Sequence, residues 1–363
     1  MKACKNIITV LCLAFLTTAG CQSELLTDYQ EYSRQTAADT IDFVGGFIDK
    51  PINTRSTSLL ADHLNSMGVW GWQTTSDGDY VQLFDNQTVV YSNATNEWTY
   101  SPKKFWSDDS QYRFYAYAPH SDSTAGATVT INQTTGRFKI DGITLEGSNI
   151  MYNAPLRTTS GNFNKATDVD WMVDRTGLTG AKSSFGRQVT FNMQHILAKL
   201  NVKVRISSIL ETDANTVTLD SLTIGTFIGH GNFEQKLDHT PDPDNETDNA
   251  AQEWTVDTTR PRYSINGAKN IGIDAVGYYV IESLLIPQDV DAGNTVKISY
   301  TITSQGGHTE RFTGTFNLNN MFNRFTGGNN YTLIITIAPD IITFDAGSGR
   351  WDDNTASANK ILN

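Results

Sequence analysis

From residue 67 onward, apolar and polar positions alternate in short runs separated by Gly, Asn and Asp, the period-two signature of β-strands. Val69-Trp70-Gly71-Trp72, Thr88–Tyr91 and Glu97–Tyr100 are runs of this kind. Gln111–Ala118 carries aromatics at both parities (Tyr112, Phe114, Tyr115 and Tyr117), as expected of a strand in the middle of a sandwich, and Pro119 stops it. Thr128–Ile131 and Arg137–Ile140, joined by Asn132–Gly136, predict a hairpin. Gly142–Gly186 is rich in Gly, Ser, Thr and Asn, with one apolar knot at Val169–Val173.

Val189–Ile206 is the longest apolar-periodic run of the body. Val189, Phe191 and Met193 share one face; after His195 the phase switches, and Ile196, Ala198, Leu200, Val202, Val204 and Ile206 share the other. A phase switch requires a bulge or a passage from one sheet to another, so the domain boundary is expected here. Beyond it, Val217–Ile224, Gly277–Ile286, Val296–Ile302, Arg311–Leu318 and Tyr331–Ile337 are strand-length runs, with Asp238–Asn249 a long loop and Asn266-Gly267 a tight turn. Ile341–Phe344 follows Pro339 as a last short strand, and Gly347–Asn363 is polar except for Trp351, Ile361 and Leu362. The spacing predicts an all-β chain of two antiparallel β-sandwich domains in tandem, residues 40–188 and 189–347, with a polar tail at 348–363.

The amino-terminal part reads differently. Lys2 and Lys5, the apolar run Ile7–Leu16 and the small residues Thr18-Ala19-Gly20 make residues 1–20 a secretory signal, too short to span a bilayer at about 20 apolar residues. Thr18-Ala19-Gly20-Cys21 resembles a bacterial lipobox, with Thr18 in place of the usual aliphatic residue. Ordinary secretion with a coincidental cysteine is the competing reading. Cysteine usage opposes it: Cys4, Cys12 and Cys21 all precede the body, so the mature chain has no disulfide and one thiol, where lipid would be attached. Residues 21–39 then form a polar, lipidated tether, and acylation with more than one chain gives stable attachment. Ile41–Ile48 reads as a strand weakened in the middle by Gly45-Gly46, followed by Pro51, a polar loop holding Arg55, and a short helix expected at Ser58–Ser66.

Charge narrows the partners. Loss of the signal removes two lysines and no acid, taking the formal charge from −12 to −14, which disfavours nucleic acid and anionic lipid surfaces. The histidines at 63, 120, 195, 230, 239 and 308 show no zinc spacing, and His195 is expected as a hydrogen-bonded core residue. Asp242, Asp244, Glu246 and Asp248 alternate in one loop but lack the glycine and terminal glutamate of an EF-hand; a solvated acidic loop is the competing, simpler reading to calcium binding. Asp108-Asp109 and Asp168 with Asp170 are the carboxylates a glycosidase would need, without anything to fix their separation. No nucleophile elbow, phosphate loop or dinucleotide fingerprint occurs, and no cofactor or metal is expected.

Several stretches in order resemble the fimbrillin-like (Mfa-like) proteins, subunits of the protease-assembled pili of Bacteroidales. They are the lipobox at Cys21, Ile41-Asp42-Phe43, Thr54-Arg55-Ser56, and Phe105-Trp106 leading to Tyr112–Pro119. They continue with Asp170-Trp171-Met172, Val189–Val204 with His195–Leu200, Leu285-Ile286-Pro287-Gln288, Gly328–Ile337 and Trp351. The resemblance implies transthyretin-like sandwich domains and export as an outer-membrane lipoprotein. It further implies cleavage by an Arg-specific protease after Arg55, loss of Ile41–Ile48, and entry of a neighbouring subunit's strand into the groove left behind. Arg34 is a weaker cleavage candidate, since a cut there leaves the strand in place. The expected partners are other pilus subunits, the protease, the outer membrane through Cys21, and host or bacterial surface ligands. The alternatives are an uncut tip or accessory subunit, and a lipoprotein that binds glycan through exposed aromatics; an enzyme is the third class.

Overall fold

The computed structural model describes residues 39–46, 66–74, 78, 80–92, 94–95, 97–120, 126–132, 137–147, 168–174, 178–185, 188–213, 215–236, 252–267, 269–350 and 360–361. The first half contributes β1 (Asp42–Gly46), β2 (Ser66–Thr74), β3 (Tyr80–Ser92), β4 (Glu97–Thr99), β5 (Gln111–Ala118), β6 (Thr128–Asn132), β7 (Arg137–Thr144), β8 (Met172–Asp174), β9 (Leu178–Ala181) and, after a helical turn α1 (Lys182–Phe185), β10 (Gln188–His195). Then come β11 (Ala198–Ile206), a short helix α2 (Ser208–Thr212), β12 (Thr216–Phe227), β13 (His230–Lys236), β14 (Gln252–Val256), β15 (Tyr263–Asn266) and β16 (Ile271–Ile273). The chain ends in β17 (Tyr278–Leu285), β18 (Gln288–Asp289), β19 (Thr295–Thr303), β20 (Thr309–Asn317), β21 (Arg324–Phe325), β22 (Asn329–Ile337), β23 (Ile342–Arg350) and β24 (Lys360–Ile361). The protein is all-β.

An eight-stranded sheet runs β1-β10-β8-β5-β2-β3-β4, with β9 also on β5. β5 lies inside it and serves two cores, as its aromatics at both parities require. Tyr112, Phe114, Ala116 and Ala118 enter one cluster with Phe43, Phe84 and Phe191, while Tyr115 and Tyr117 enter another with Trp70, Phe138 and Trp171. The second cluster is closed by a four-stranded sheet, β14-β13-β7-β6. A third cluster fills the space between two five-stranded sheets, β17-β11-β22-β23-β24 and β15-β12-β19-β20 with β16 on β12.

The phase switch after His195 is the passage between sheets. Val189, Phe191 and Met193 of β10 face the first core, Ile196 and Leu197 the second, and Leu200, Val202 and Val204 of β11 the third. β10, which begins at the expected boundary, is paired within the first sheet, and the β13–β14 hairpin returns to pair with β7. Among the described residues two pairings, β1 with β10 and β11 with β22, run parallel, which differs from the antiparallel arrangement expected throughout. β23 extends well beyond the short strand expected at Ile341–Phe344, because its Ala346–Arg350 part is held by backbone pairing to β22 that needs no apolar side chains. The helix expected at Ser58–Ser66 and the loop Asp238–Asn249 lie outside the described residues, save for Ser66, which opens β2.

Phe233 of β13 is 1% exposed and packs on Trp254 between the second half's hairpin and the first half's sheet. Replacing it with Ala removes the ring and leaves a cavity. Chemical denaturation of Phe233→Ala is expected to show a loss of about 3–5 kcal/mol.

Candidate functional site: the slot of the first strand

β1 stands at one end of the eight-stranded order, yet it is flanked on both sides. On one flank it pairs in parallel with β10, from Asp42 opposite Gln188 to Gly46 opposite Asn192. On the other, Thr40 bridges Phe105; Ile41 N donates to Lys104 O at 2.9 Å and Trp106 N donates to Asp39 O at 2.8 Å. Tyr100, just past β4 at the opposite end of the sheet, donates its hydroxyl to Ile41 O at 2.6 Å. β1 therefore bridges the sheet's two ends.

Its inward side chains are core. Ile41 is 0% exposed and Phe43 is 2% exposed. The Phe43 ring meets Phe84 at 5.1 Å edge-on, Tyr100 at 5.4 Å, Phe191 at 5.7 Å stacked and Phe114 at 5.9 Å edge-on. Offset and edge-to-face rings of this kind contribute beyond their buried area. Gly71 of β2 makes room for two of these rings: a Cβ there would stand 2.6 Å from Phe84 and 2.9 Å from Phe114. On the rim, Lys103 Nζ lies 3.2 Å from Asp42, and Lys182 Nζ of α1 lies 2.7 Å from Asp39 and 2.9 Å from Asp108. Hydrogen bonds from Lys182 to Asp39 first, and then to Asp108, hold its pKa above the ordinary lysine value.

The structure brings together some of the residues singled out by sequence and not others. Asp42–Gly46 of the expected strand is β1; Phe47 and Ile48 lie outside the described residues, as do Cys21, Arg34, Arg55 and the Asp242–Asp248 loop. His195 is 2% exposed, its Nδ1 3.0 Å from Asp170 Oδ1, as a core histidine should be. Asp168 accepts the Glu146 backbone N–H at 2.9 Å, and Asp108 is taken by Lys182, so these carboxylates have structural partners. Trp70, Trp72, Trp106 and Trp171 are buried, Trp98 and Trp254 half-buried, and Trp351 is outside the described residues. Tyr100, Lys103, Lys104 and Lys182 were not legible as parts of one site, because their partners, in the stretch from Asp39 to Asp42 that leads into β1, lie 59 to 143 positions away in the chain.

Two outcomes follow for this slot. Phe43→Ala is expected to cost about 3–5 kcal/mol in denaturant unfolding. Burial, ahead of any other cause, pushes the Tyr100 phenol from 10.0 up to about 12. The fold therefore favours the neutral, donating form: its contribution is fully present below pH 10.0 and is lost as pH rises toward about 12. In an alkaline titration of tyrosinate absorbance, the difference between the native chain and Tyr100→Phe should be a late-ionising component.

Residues 54–351 match the family described as fimbrillin-like. No curated protein matches the sequence. Among solved structures, a fimbrial protein from Bacteroides vulgatus superposes with a TM-score of 0.57 at 18% identity, covering 86% of this chain and 99% of its own. A putative cell adhesion protein from Bacteroides uniformis gives a TM-score of 0.47 at 14% identity, covering 86% of this chain and 98% of its own. The first likeness shows a shared fold, and with most of its length matched by the family, the chain belongs to the fimbrillin-like family.

Proposed function

We propose that the chain is a structural and adhesive subunit of a fimbrium that works by assembly, not catalysis. In this reading it is exported, anchored in the outer membrane by lipid on Cys21, and cut after Arg55 by an Arg-specific protease. The cut frees β1, and a strand from a neighbouring subunit takes its slot. The observation that carries the reading is β1 itself, a strand at the end of a sheet whose Ile41 and Phe43 are nonetheless core.

The physics supports a protease as trigger. While covalently attached, β1 competes for its slot at an effective concentration of roughly millimolar or more, so a second strand cannot readily displace it. Cleavage turns β1 into a dissociable ligand. Its departure exposes the unpaired edge of β10 and the pocket of Phe43, and each net hydrogen bond regained by a new strand is worth about 1 kcal/mol. Strand addition restores both the ladder and the burial. Gly45 and Gly46, opposite Phe191 and Asn192 in register, make β1 a weaker occupant than a strand with side chains there. The pattern Asp-x-Ile-x-Phe occurs twice in the chain, at Asp39–Phe43 in the slot and at Asp340–Phe344 entering β23. The second occurrence is committed to its own sheet, where Ile342–Arg350 pairs with Asn329–Ile337, so it is not the strand that enters the slot.

Mature fibres are expected to give Ser56 as their first residue on amino-terminal sequencing. Arg55→Ala should abolish the polymer ladder on a mild SDS gel while Arg34→Ala leaves it intact. Fibres that begin at Cys21 or Gln35, and so still carry Ile41–Ile48, contradict the reading.

A further inference from the structure

Apolar alternation alone does not specify one register for a strand entering the slot. A slip of one residue turns Ile41 and Phe43 outward, but a slide of two again places alternate side chains inward. Two features of the slot break that degeneracy. The pocket around Phe43 is built of Phe84, Tyr100, Phe114 and Phe191, with rings at edge-to-face and stacked angles that suit an aromatic. The rim carries two ammonium groups from different elements: Lys182 of α1 at Asp39 and Lys103, after β4, at Asp42. A two-residue slide moves each carboxylate about 7 Å along the strand, out of reach of its lysine.

We propose that the slot reads its replacement strand by charge as well as shape, and that its partner is an extended segment of pattern acid-x-aliphatic-acid-aromatic, lying parallel to β10. The proposal rests on the strand-exchange reading above and names the chemistry of the strand that enters. In such a segment only one register fills the aromatic pocket and meets both lysines. When β1 leaves, Lys182 retains Asp108, whereas Lys103 loses the carboxylate that faces it. The chain is acidic overall, with a formal charge of −12, so a local cationic rim also offsets the general repulsion of an acidic strand. Exposed pairs of this kind contribute little affinity singly; they select register and speed encounter.

The test uses the full chain treated with an arginine-specific protease, and fluorescently labelled peptides read by anisotropy. One peptide is Asp39–Gly46; a second carries Asp39→Lys and Asp42→Lys; a third carries Phe43→Ala. The native peptide should bind in a salt-sensitive manner, and the charge-inverted one about tenfold more weakly. On a chain carrying Lys103→Glu and Lys182→Glu the preference should reverse, an outcome that misfolding cannot produce. Equal binding of the native and inverted peptides to both chains overturns the charge reading and leaves strand exchange standing. Equal binding of the Phe43→Ala peptide overturns the aromatic requirement. Failure of every peptide, the native one included, overturns both the proposal and the exchange reading beneath it.

Discussion

A strand at the end of a sheet must satisfy its neighbour's backbone, and here it must also complete a core. β10 has β8 on one side and β1 on the other, so its outer row of N–H and C=O groups depends on β1. The same five residues place Phe43 among four aromatic rings. Because β10 is the only strand in ladder with β1, loss of β1 breaks the bonds to Tyr100, Lys104, Phe105 and Trp106 on the other flank but parts no other pair of strands. Because Ile41 and Phe43 are buried, its loss cannot go unfilled without exposing apolar pocket and unpaired backbone together. In the proposed exchange, a single ladder partner makes departure feasible, and a core role makes replacement favourable.

The remainder of the molecule holds that slot in shape. β5 is packed on both faces, and β13 and β14 brace the outer face by joining the sheet of β6 and β7. The wall of the slot is continuous with the second half: β10 and β11 are separated only by Ile196 and Leu197, both fully buried, and β11 then lies between β17 and β22. Buried polar groups at this junction are paired, His195 with Asp170 and Lys199 with Glu282. Breaking one partner of such a pair is costly, so these contacts fix how the sheets meet.

Much of this was legible in the alternation of side chains. The aromatic run in β5, the hairpin of β6 and β7, and the change of sheet after His195 follow from period two and its interruption. β13 was not legible, for a definite reason. Its inward position 235 is a glutamine, 0% exposed, which donates to Asp174 O and accepts from the Tyr115 hydroxyl, so a polar residue stands where the pattern requires an apolar one. β1 was visible as a short apolar run, but its second flank was not. The bonds from Lys104, Trp106 and Tyr100 join distant stretches and leave no local period. The rim lysines are equally silent in sequence, since a surface lysine looks the same with or without a carboxylate opposite.

Hydrogen exchange at the outer edge of β10 tests the central claim most directly. The amides of Val189 and Phe191, which point to the β1 side because the neighbouring Asn192 N–H donates to Asp174 Oδ1 on the other, should be protected in the intact chain, exchange rapidly once β1 has been cut free and removed, and regain protection in the assembled fibre. Protection that persists unchanged after β1 has gone, or that fails to return in the fibre, would mean that no strand replaces it and that the slot is not where subunits join.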